Sequence, residues 1–514
     1  MVIVAGAWVI SASCLAARGA ASASLTKVLE QARPGALVTV IVRCADRTPV
    51  PHVTRPPSGR RRAAIRTALV KRLHERGGHQ RAALQRWLRG RALRVDELWH
   101  INALVVTADA QVIASLAEHP LVAAMDWNAP MVLQPPPPAE VSTGLWNLSM
   151  VNVESVWRRG YRGGHVVIAC LDTGVDYGHP HLRQTWRGGA GDWFDAFGEY
   201  SAPDDPWGHG TQALGLIVGG DRAGVPIGLA PGARWIAARI FQSDGYTDVQ
   251  TVHRAFQWAL DPDGDPNTAD QPDIINNSWG FPDPEGTCAR LFEEDIRLLQ
   301  AAGILLVFAA GNDGPSASSD VSPAGYPGAM SVGAVDNQAA VALFSSRGPA
   351  SCSGELFPKL VAPGVDVLTT DMTLGGVFPD SYAYVTGTSF AAAHVSGALA
   401  LLADAFPDAD PNELVQSLYE TADDLGPVGP DNDSGHGLLN IGRAYEWLMA
   451  SRLTADLDDS GGIDLADLRA FAQSWCRPDC EGDCRADLNR DGDVDLTDFN
   501  DLARQYGHVR EQSE

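Results

Sequence analysis

Four short stretches carry residues able to cooperate in nucleophilic acyl chemistry. Asp172 follows the apolar run 166–171 and opens Asp172-Thr173-Gly174. His209 stands in Gly208-His209-Gly210-Thr211, ahead of a helix built from small residues. Ser389 lies in Gly387-Thr388-Ser389-Phe390-Ala391-Ala392-Ala393-His394, where a loop enters an apolar helix, and Asn312 ends Ala309-Ala310-Gly311-Asn312. A serine hydroxyl becomes a useful nucleophile when an imidazole takes its proton, and a carboxylate fixes that imidazole's tautomer. The oxyanion that develops needs donors already in place, for which an amide side chain and a helix N-terminus both serve. Taken singly, the three residues read as a turn carboxylate, a structural histidine and a helix cap. Together, in the order Asp, His, Ser, they make a reaction centre with Asn312 as the oxyanion donor.

A second chemistry occupies the tail. Asp456, Asp458, Ser460, Gly462, Asp464 and Asp467 fall at positions 1, 3, 5, 7, 9 and 12 of one loop. Asp487, Asn489, Asp491, Asp493, Asp495 and Asp498 repeat the pattern. Oxygen donors at 1, 3, 5, 9 and 12, with Gly at 6 and an aliphatic residue at 8, give the spacing of a calcium loop, here with Asp in place of Glu at 12. A helix follows each loop. The stretch 261–265, Asp-Pro-Asp-Gly-Asp, reads as a turn.

These groups need elements to hold them. Apolar runs at 166–171, 235–240, 273–277, 304–309 and 330–335 alternate with helical stretches, the rhythm of a mostly parallel sheet with helices on both faces. Catalytic groups in such sheets gather at the carboxyl ends of the strands. Ahead of this part, residues 35–127 show a smaller α/β pattern: a buried strand near 36–42, an Arg-rich helical region over 60–90, a strand near 98–107, a helix near 110–118 and a strand near 121–126. Gln134-Pro135-Pro136-Pro137-Pro138 is a stiff extended linker. Residues 1–17 are uncharged and mostly apolar, and Ala21-Ser22-Ala23 supplies a small-residue cleavage pattern, so 1–23 reads as a signal peptide. Cys170 reads as a buried small hydrophobe, Cys288 and Cys352 as a pair, and Cys476, Cys480 and Cys484 as a disulfide with one spare thiol.

Charge follows the same division. The chain of 514 residues has a formal net charge of -24, but residues 1–130 hold 18 Lys+Arg against 8 Asp+Glu. An acidic protein of this kind is poorly suited to nucleic acid as its main partner. No internal run reaches the length and apolarity of a membrane span.

The segment 144–450 resembles a subtilase, of the bacillopeptidase F-like kind. Besides the four motifs, the likeness rests on Asn276-Asn277-Ser278-Trp279-Gly280, Phe344-Ser345-Ser346-Arg347-Gly348-Pro349, Ala362-Pro363-Gly364-Val365 and Gly435-His436-Gly437-Leu438-Leu439-Asn440. The resemblance implies a subtilisin-like fold and a serine endopeptidase with Asp172, His209 and Ser389 as triad and Asn312 in the oxyanion hole. It also implies that Ser278, Trp279, Gly280, Ala310 and Gly311 line a polypeptide substrate. Two departures stand out: Gln212 where the family has a second histidine, and Ala393 where it has proline. The front segment, 24–130, resembles an inhibitor-type propeptide with a ferredoxin-like order, and implies self-cleavage between residues 131 and 144. Residues 454–508 resemble a dockerin, which implies Ca2+ binding and a cohesin-like partner. The expectation is a secreted or cell-surface enzyme; the contrasting function class is a catalytically silent subtilase domain displayed as a binding module.

Overall fold

The computed structural model describes residues 21–45, 62–140, 144–220, 226–282, 288, 290–374, 376–378, 381–451, 455–457, 463–475, 485–488 and 494–505. The chain forms two compact units, divided after Ile441.

The first unit opens with a small lobe. Its elements are α1 (Ala23–Gln31), β1 (Leu37–Cys44), α2 (Arg62–Glu75), α3 (Gly78–Leu88), β2 (Ala92–Leu98), β3 (Ala103–Asp109), α4 (Ala110–Ala117) and β4 (Val122–Trp127). The four strands make one antiparallel sheet in the order β2-β3-β1-β4. Val38, Val40 and Val42 alternate inward against Leu84, Leu88, Ile113 and Leu116, giving the lobe its own core. The Ser22 side chain caps α1, so residues just before the expected signal cut are used in this lobe. The Arg-rich region is two helices rather than one. Gly77 sits between them at φ 63°, and a Cβ there would fall 2.0 Å from Asn102 Oδ1. The apolar stretch near 98–107 is likewise divided, by a turn at 99–102 that joins β2 to β3.

Beyond β5 (Pro130–Val132) lies the large layer. Its strands are β6 (Val167–Asp172), β7 (Trp193–Asp195), β8 (Arg234–Arg239), β9 (Tyr246–Asp248), β10 (Ile274–Asn277), β11 (Leu305–Ala309), β12 (Met330–Val335), β13 (Leu360–Pro363), β14 (Val367–Thr370) and β15 (Tyr382–Val385). Seven of them form an all-parallel sheet, β13-β12-β11-β10-β6-β8-β7. The central strands are buried along nearly their whole length because helices cover both faces. Those that matter to the site are α5 (His209–Val218), α6 (Val249–Leu260), α7 (Glu293–Ala301) and α8 (Thr388–Ala405). Among the described residues α8 is the one helix long and apolar enough to cross a membrane, and it is the packed core helix of this layer. Cys288 and Cys352 are joined by a disulfide, while Cys170 is free and buried.

The lobe docks on the large layer through apolar and charged contacts. Leu69, Leu73, Leu98 and Ile101 share a core with Phe256, Phe292 and Leu299. Arg66, 4% exposed, donates to the carbonyls of Ala302 (3.0 Å) and Pro272 (3.1 Å), and Arg62 meets Asp273 at 2.9 Å. The α2 arginines are therefore held by Asp273 and by backbone carbonyls of the large layer. β5 pairs antiparallel with β9, and Leu133 N–H continues the pairing to the Gly245 carbonyl at 2.9 Å.

In the second unit two helices, α9 (Leu465–Ser474) and α10 (Leu496–Gln505), pack around Ile463, Phe471, Val494 and Leu502.

Candidate active site

Three carboxyl ends of the parallel sheet supply the scaffold. β6 delivers Asp172, which is 1% exposed; its Oδ1 accepts from the Thr173 N–H (2.7 Å) and from His209 Nδ1 (2.8 Å). His209 begins α5 directly after Gly208, whose φ of 101° few other residues tolerate. The next residue must also be small, since a Cβ on Gly210 would stand 2.1 Å from the Gly174 carbonyl oxygen. Burial works to depress the imidazolium, but the Asp172 charge, its hydrogen bond and the more distant Asp205 charge outweigh it, so the His209 pKa is raised.

Ser389 enters from the first turn of α8. Its hydroxyl donates to the Ser278 carbonyl at 2.9 Å, and the Ser278 hydroxyl donates back to the Ser389 carbonyl at 2.7 Å. Asn276 Nδ2 donates to Ser278 Oγ, and Ser396, two turns along α8, donates to Asn276 Oδ1, each at 2.9 Å. Phe390, the neighbour of Ser389, lies with its ring centroid 5.6 Å from that of His209. Just past β11, Asn312 Oδ1 accepts from both the N–H and the hydroxyl of Thr388, each at 3.0 Å. Thr388 Oγ1 in turn accepts from the Gly311 N–H at 3.1 Å. With its oxygen tied down on that side, the amide NH2 is directed to the other, where a Cβ on Gly387 would be 3.6 Å from Nδ2.

The residues expected along a substrate separate by side. Trp279 is 2% exposed and its indole N–H donates to the Leu171 carbonyl, so the ring belongs to the core, while the buried Ser278 side chain is hydrogen-bonded to the Ser389 carbonyl. Ala310 is buried and Gly311 adopts φ 107°. Of the two departures, Gln212 donates to Asp371 at 3.0 Å and Ala393 is buried in α8. His394, also in α8, is fully buried; desolvation lowers its pKa to about 4 despite the Phe390 carbonyl contact. The Asp263 and Asp265 side chains accept backbone N–H groups of their own turn.

Sequence reasoning overlooked Asp205, Thr388 and the β9 edge. Asp205 is 4% exposed and accepts from Thr173 Oγ1 (2.9 Å), Trp207 N–H (3.1 Å), Gly208 N–H (2.8 Å), Thr211 N–H (2.9 Å) and Thr211 Oγ1 (2.7 Å). The available signal was an aspartate four residues ahead of His209, close enough in sequence to reach the unpaired N–H groups at the start of α5. For β9, it was Gly245 in Asp244-Gly245, just before α6.

In the second unit the twelfth loop residues act alike. Asp467 accepts from the N–H of Leu457 (2.7 Å) and of Asp464 (2.8 Å); Asp498 accepts from Leu488 (2.7 Å) and Asp495 (2.9 Å). Asp456, Asp467 and Asp498 are buried, and Asp487 is described with them. The expected ligands Asp458, Ser460, Gly462, Asn489, Asp491 and Asp493 lie outside the described residues, as do Cys14, Cys476, Cys480 and Cys484.

Comparison with known proteins agrees with this architecture. The subtilase family pattern matches residues 163–437. Bacillopeptidase F of Bacillus subtilis (strain 168) is 32% identical over 387 residues, covering 68% of this chain and 26% of that protein. Fervidolysin of Fervidobacterium pennivorans is 31% identical over 354 residues, covering 63% and 46%. Subtilisin DY of Bacillus licheniformis is 32% identical over 307 residues, covering 59% of this chain and 98% of that protein. The chain thus spans less than half the length of the first two relatives and nearly all of the third. With the family pattern covering more than half of its residues, and with Asp172 and Asn312 at strand ends of the parallel sheet and His209 and Ser389 in the first turns of α5 and α8, the chain belongs to the subtilase family.

Proposed function

We propose that this protein is a secreted serine endopeptidase that hydrolyses polypeptides through an acyl-enzyme. The observation that carries the reading is the buried Asp172–His209 hydrogen bond of 2.8 Å beside the first turn of α8. His209 Nε2 accepts the Ser389 proton once the hydroxyl rotates away from the Ser278 carbonyl, and Oγ attacks the scissile carbonyl carbon. Asn312 Nδ2 and the Ser389 N–H hold the tetrahedral oxyanion. The imidazolium then protonates the leaving amine, and water releases the acyl group by the same route. Asp172 keeps Nδ1 protonated and Nε2 basic. Because the base must be neutral, activity rises with pH through the raised His209 pKa.

Residues 24–130 act as the inhibitor-type propeptide and 131–143 as its processing region, leaving 144–450 as the peptidase. Support comes from β5, which adds to the β9 edge as an extended peptide would. Substrates bind in the same manner, against β9 and along Ser278, Trp279, Gly280, Ala310 and Gly311, with Trp279 contributing backbone only. The tail binds Ca2+: oxygen side chains at like positions of its two loops, with buried carboxylates at Asp456, Asp467 and Asp498, support a hard-cation reading. A cohesin-like protein is the partner proposed for this tail.

A fluorophosphonate probe tests the central claim. The wild-type chain should label and hydrolyse casein, and Ser389→Ala should do neither; labelling that survives in Ser389→Ala would mean the nucleophile lies elsewhere.

A further inference from the structure

We propose that Asp205 is a positioning residue of the catalytic machinery, tying the end of β6 to the first turn of α5 and adding a second negative charge behind the imidazole. The proposal rests on the triad reading above and deepens it. Asp172 and His209 come from different elements, so their 2.8 Å contact depends on how the end of β6 is held against the start of α5. Asp205 spans that junction. On the β6 side it accepts from Thr173 Oγ1, next to Asp172; on the α5 side it accepts from the N–H groups of Gly208 and Thr211, which bracket His209.

The tie is doubly braced. Thr173 Oγ1, while donating to Asp205, accepts from the Gly210 N–H at 2.9 Å. Thr211 Oγ1 donates to Asp205 and accepts from the Asp176 N–H at 2.8 Å. A helix N-terminus has four N–H groups without partners inside the helix; here Asp205 takes that of Thr211, and that of Gly208 just before the helix, while Thr173 Oγ1 takes that of Gly210. The charge has its own consequence. Asp172 from β6 and Asp205 from the loop before α5 are the charged groups that face His209, while Phe390 from α8 faces it with an uncharged ring. Both carboxylates favour the imidazolium, which must form when Ser389 is deprotonated.

Two variants separate tie from charge. Asp205→Asn removes the charge and part of the tie. Thr173→Val removes one strap and leaves the charge. With full-length protein and active sites counted by fluorophosphonate titration, Asp205→Asn should lower kcat on the order of 10- to 100-fold. It should also move the acid limb of kcat/KM to lower pH, with KM nearly unchanged. Thr173→Val should lower kcat without moving the limb. Should Asp205→Asn not fold, Asp205→Glu keeps the charge and stretches the tie, and a fall in kcat with the limb in place is expected. An active wild type whose folded Asp205→Asn variant keeps its kcat and its acid limb overturns the role of Asp205 alone, as does an unimpaired Asp205→Glu. A wild type that fails to label at Ser389 overturns the peptidase reading and this role with it.

Discussion

Among the described residues stand two fully buried aspartate–histidine clusters, one at the end of the parallel sheet and one where the lobe docks. In the first, Asp172 bonds His209 at 2.8 Å. In the second, Asp295 on α7 bonds His253 on α6 at 2.8 Å and His100, from the lobe's β2–β3 turn, at 2.7 Å. The hydrogen-bond lengths agree to within 0.1 Å, and the second cluster is the more deeply buried, with all three residues at 0% exposure. The difference lies in what the remaining nitrogens meet. His209 stands beside the first turn of the helix that carries Ser389. His100 turns its other nitrogen to Gln257 Oε1 at 3.2 Å, and the His253 ring stacks edge-on against Phe292 with Nε2 unpartnered among the described residues. A short buried Asp–His contact is therefore no mark of catalysis. The same bond is a fastening when both sides are closed and a reagent when one side meets a nucleophile.

The largest effect should come from breaking the first cluster. Asp172→Asn keeps the shape but permits the wrong imidazole tautomer, and a loss of about 10⁴ in kcat is expected for a triad of this kind. Thermal unfolding should change little by comparison, and a variant with kcat within tenfold of wild type would dissolve the contrast between the clusters.

Breaking the second cluster should invert that pattern. Asp295→Ala leaves two buried imidazoles without their common acceptor, a change expected to cost about 3–5 kcal/mol of folding free energy. Here burial favours the neutral acid, yet the His253 and His100 charges and hydrogen bonds hold the Asp295 carboxyl far below its ordinary range. A depressed carboxyl pKa stabilises the fold at all pH above the unfolded value, near 4, and the contribution is lost only as acid titrates the folded group. Denaturant titration of Ser389→Ala protein, with and without Asp295→Ala, should show the full difference at pH 7 and a smaller one toward pH 2. The kcat per titrated active site of matured Asp295→Ala enzyme should match wild type; a large fall would tie this cluster to the chemistry.

What could be read from the sequence divides along the same line. The Asp172, His209, Ser389 and Asn312 motifs are contiguous and stand at the ends of apolar runs or the start of a helix, so short motifs, their order and the family resemblance made them legible. Asp205 is one of 63 acidic residues. Its weight comes from donors on two elements that only the tertiary fold brings together. Trp279 shows what a motif leaves open: the sequence marks the stretch, and only the fold shows that its ring is in the core. The β2–β3 turn was hidden inside one apolar stretch because Leu98, Ile101 and Ala103 are all buried, although Asn102, at φ 51°, marks the bend. The cluster at Asp295 had no sequence signal, since its members are separated by about 40 to 195 positions.

The smallest effect tests the docking surface at its edge. Glu294 neighbours Asp295 in α7 but points toward solvent, 24% exposed, where it meets Arg76 at 3.1 Å and Arg43 at 3.4 Å. These pairs keep partial access to solvent, with side chains 10–24% exposed, so they contribute on the order of 1 kcal/mol and are screened by salt, with a screening length of about 10 Å at 0.1 M. Glu294→Gln should therefore loosen the lobe slightly, seen as faster amide exchange in β1–β3 of Ser389→Ala protein at low ionic strength. Raising the salt toward 1 M should erase the difference between Glu294→Gln and its parent while leaving the Asp295→Ala difference nearly intact. If salt erased both equally, the buried cluster would be behaving as a surface pair, and the distinction between a sealed fastening and a solvated one would not hold at this interface.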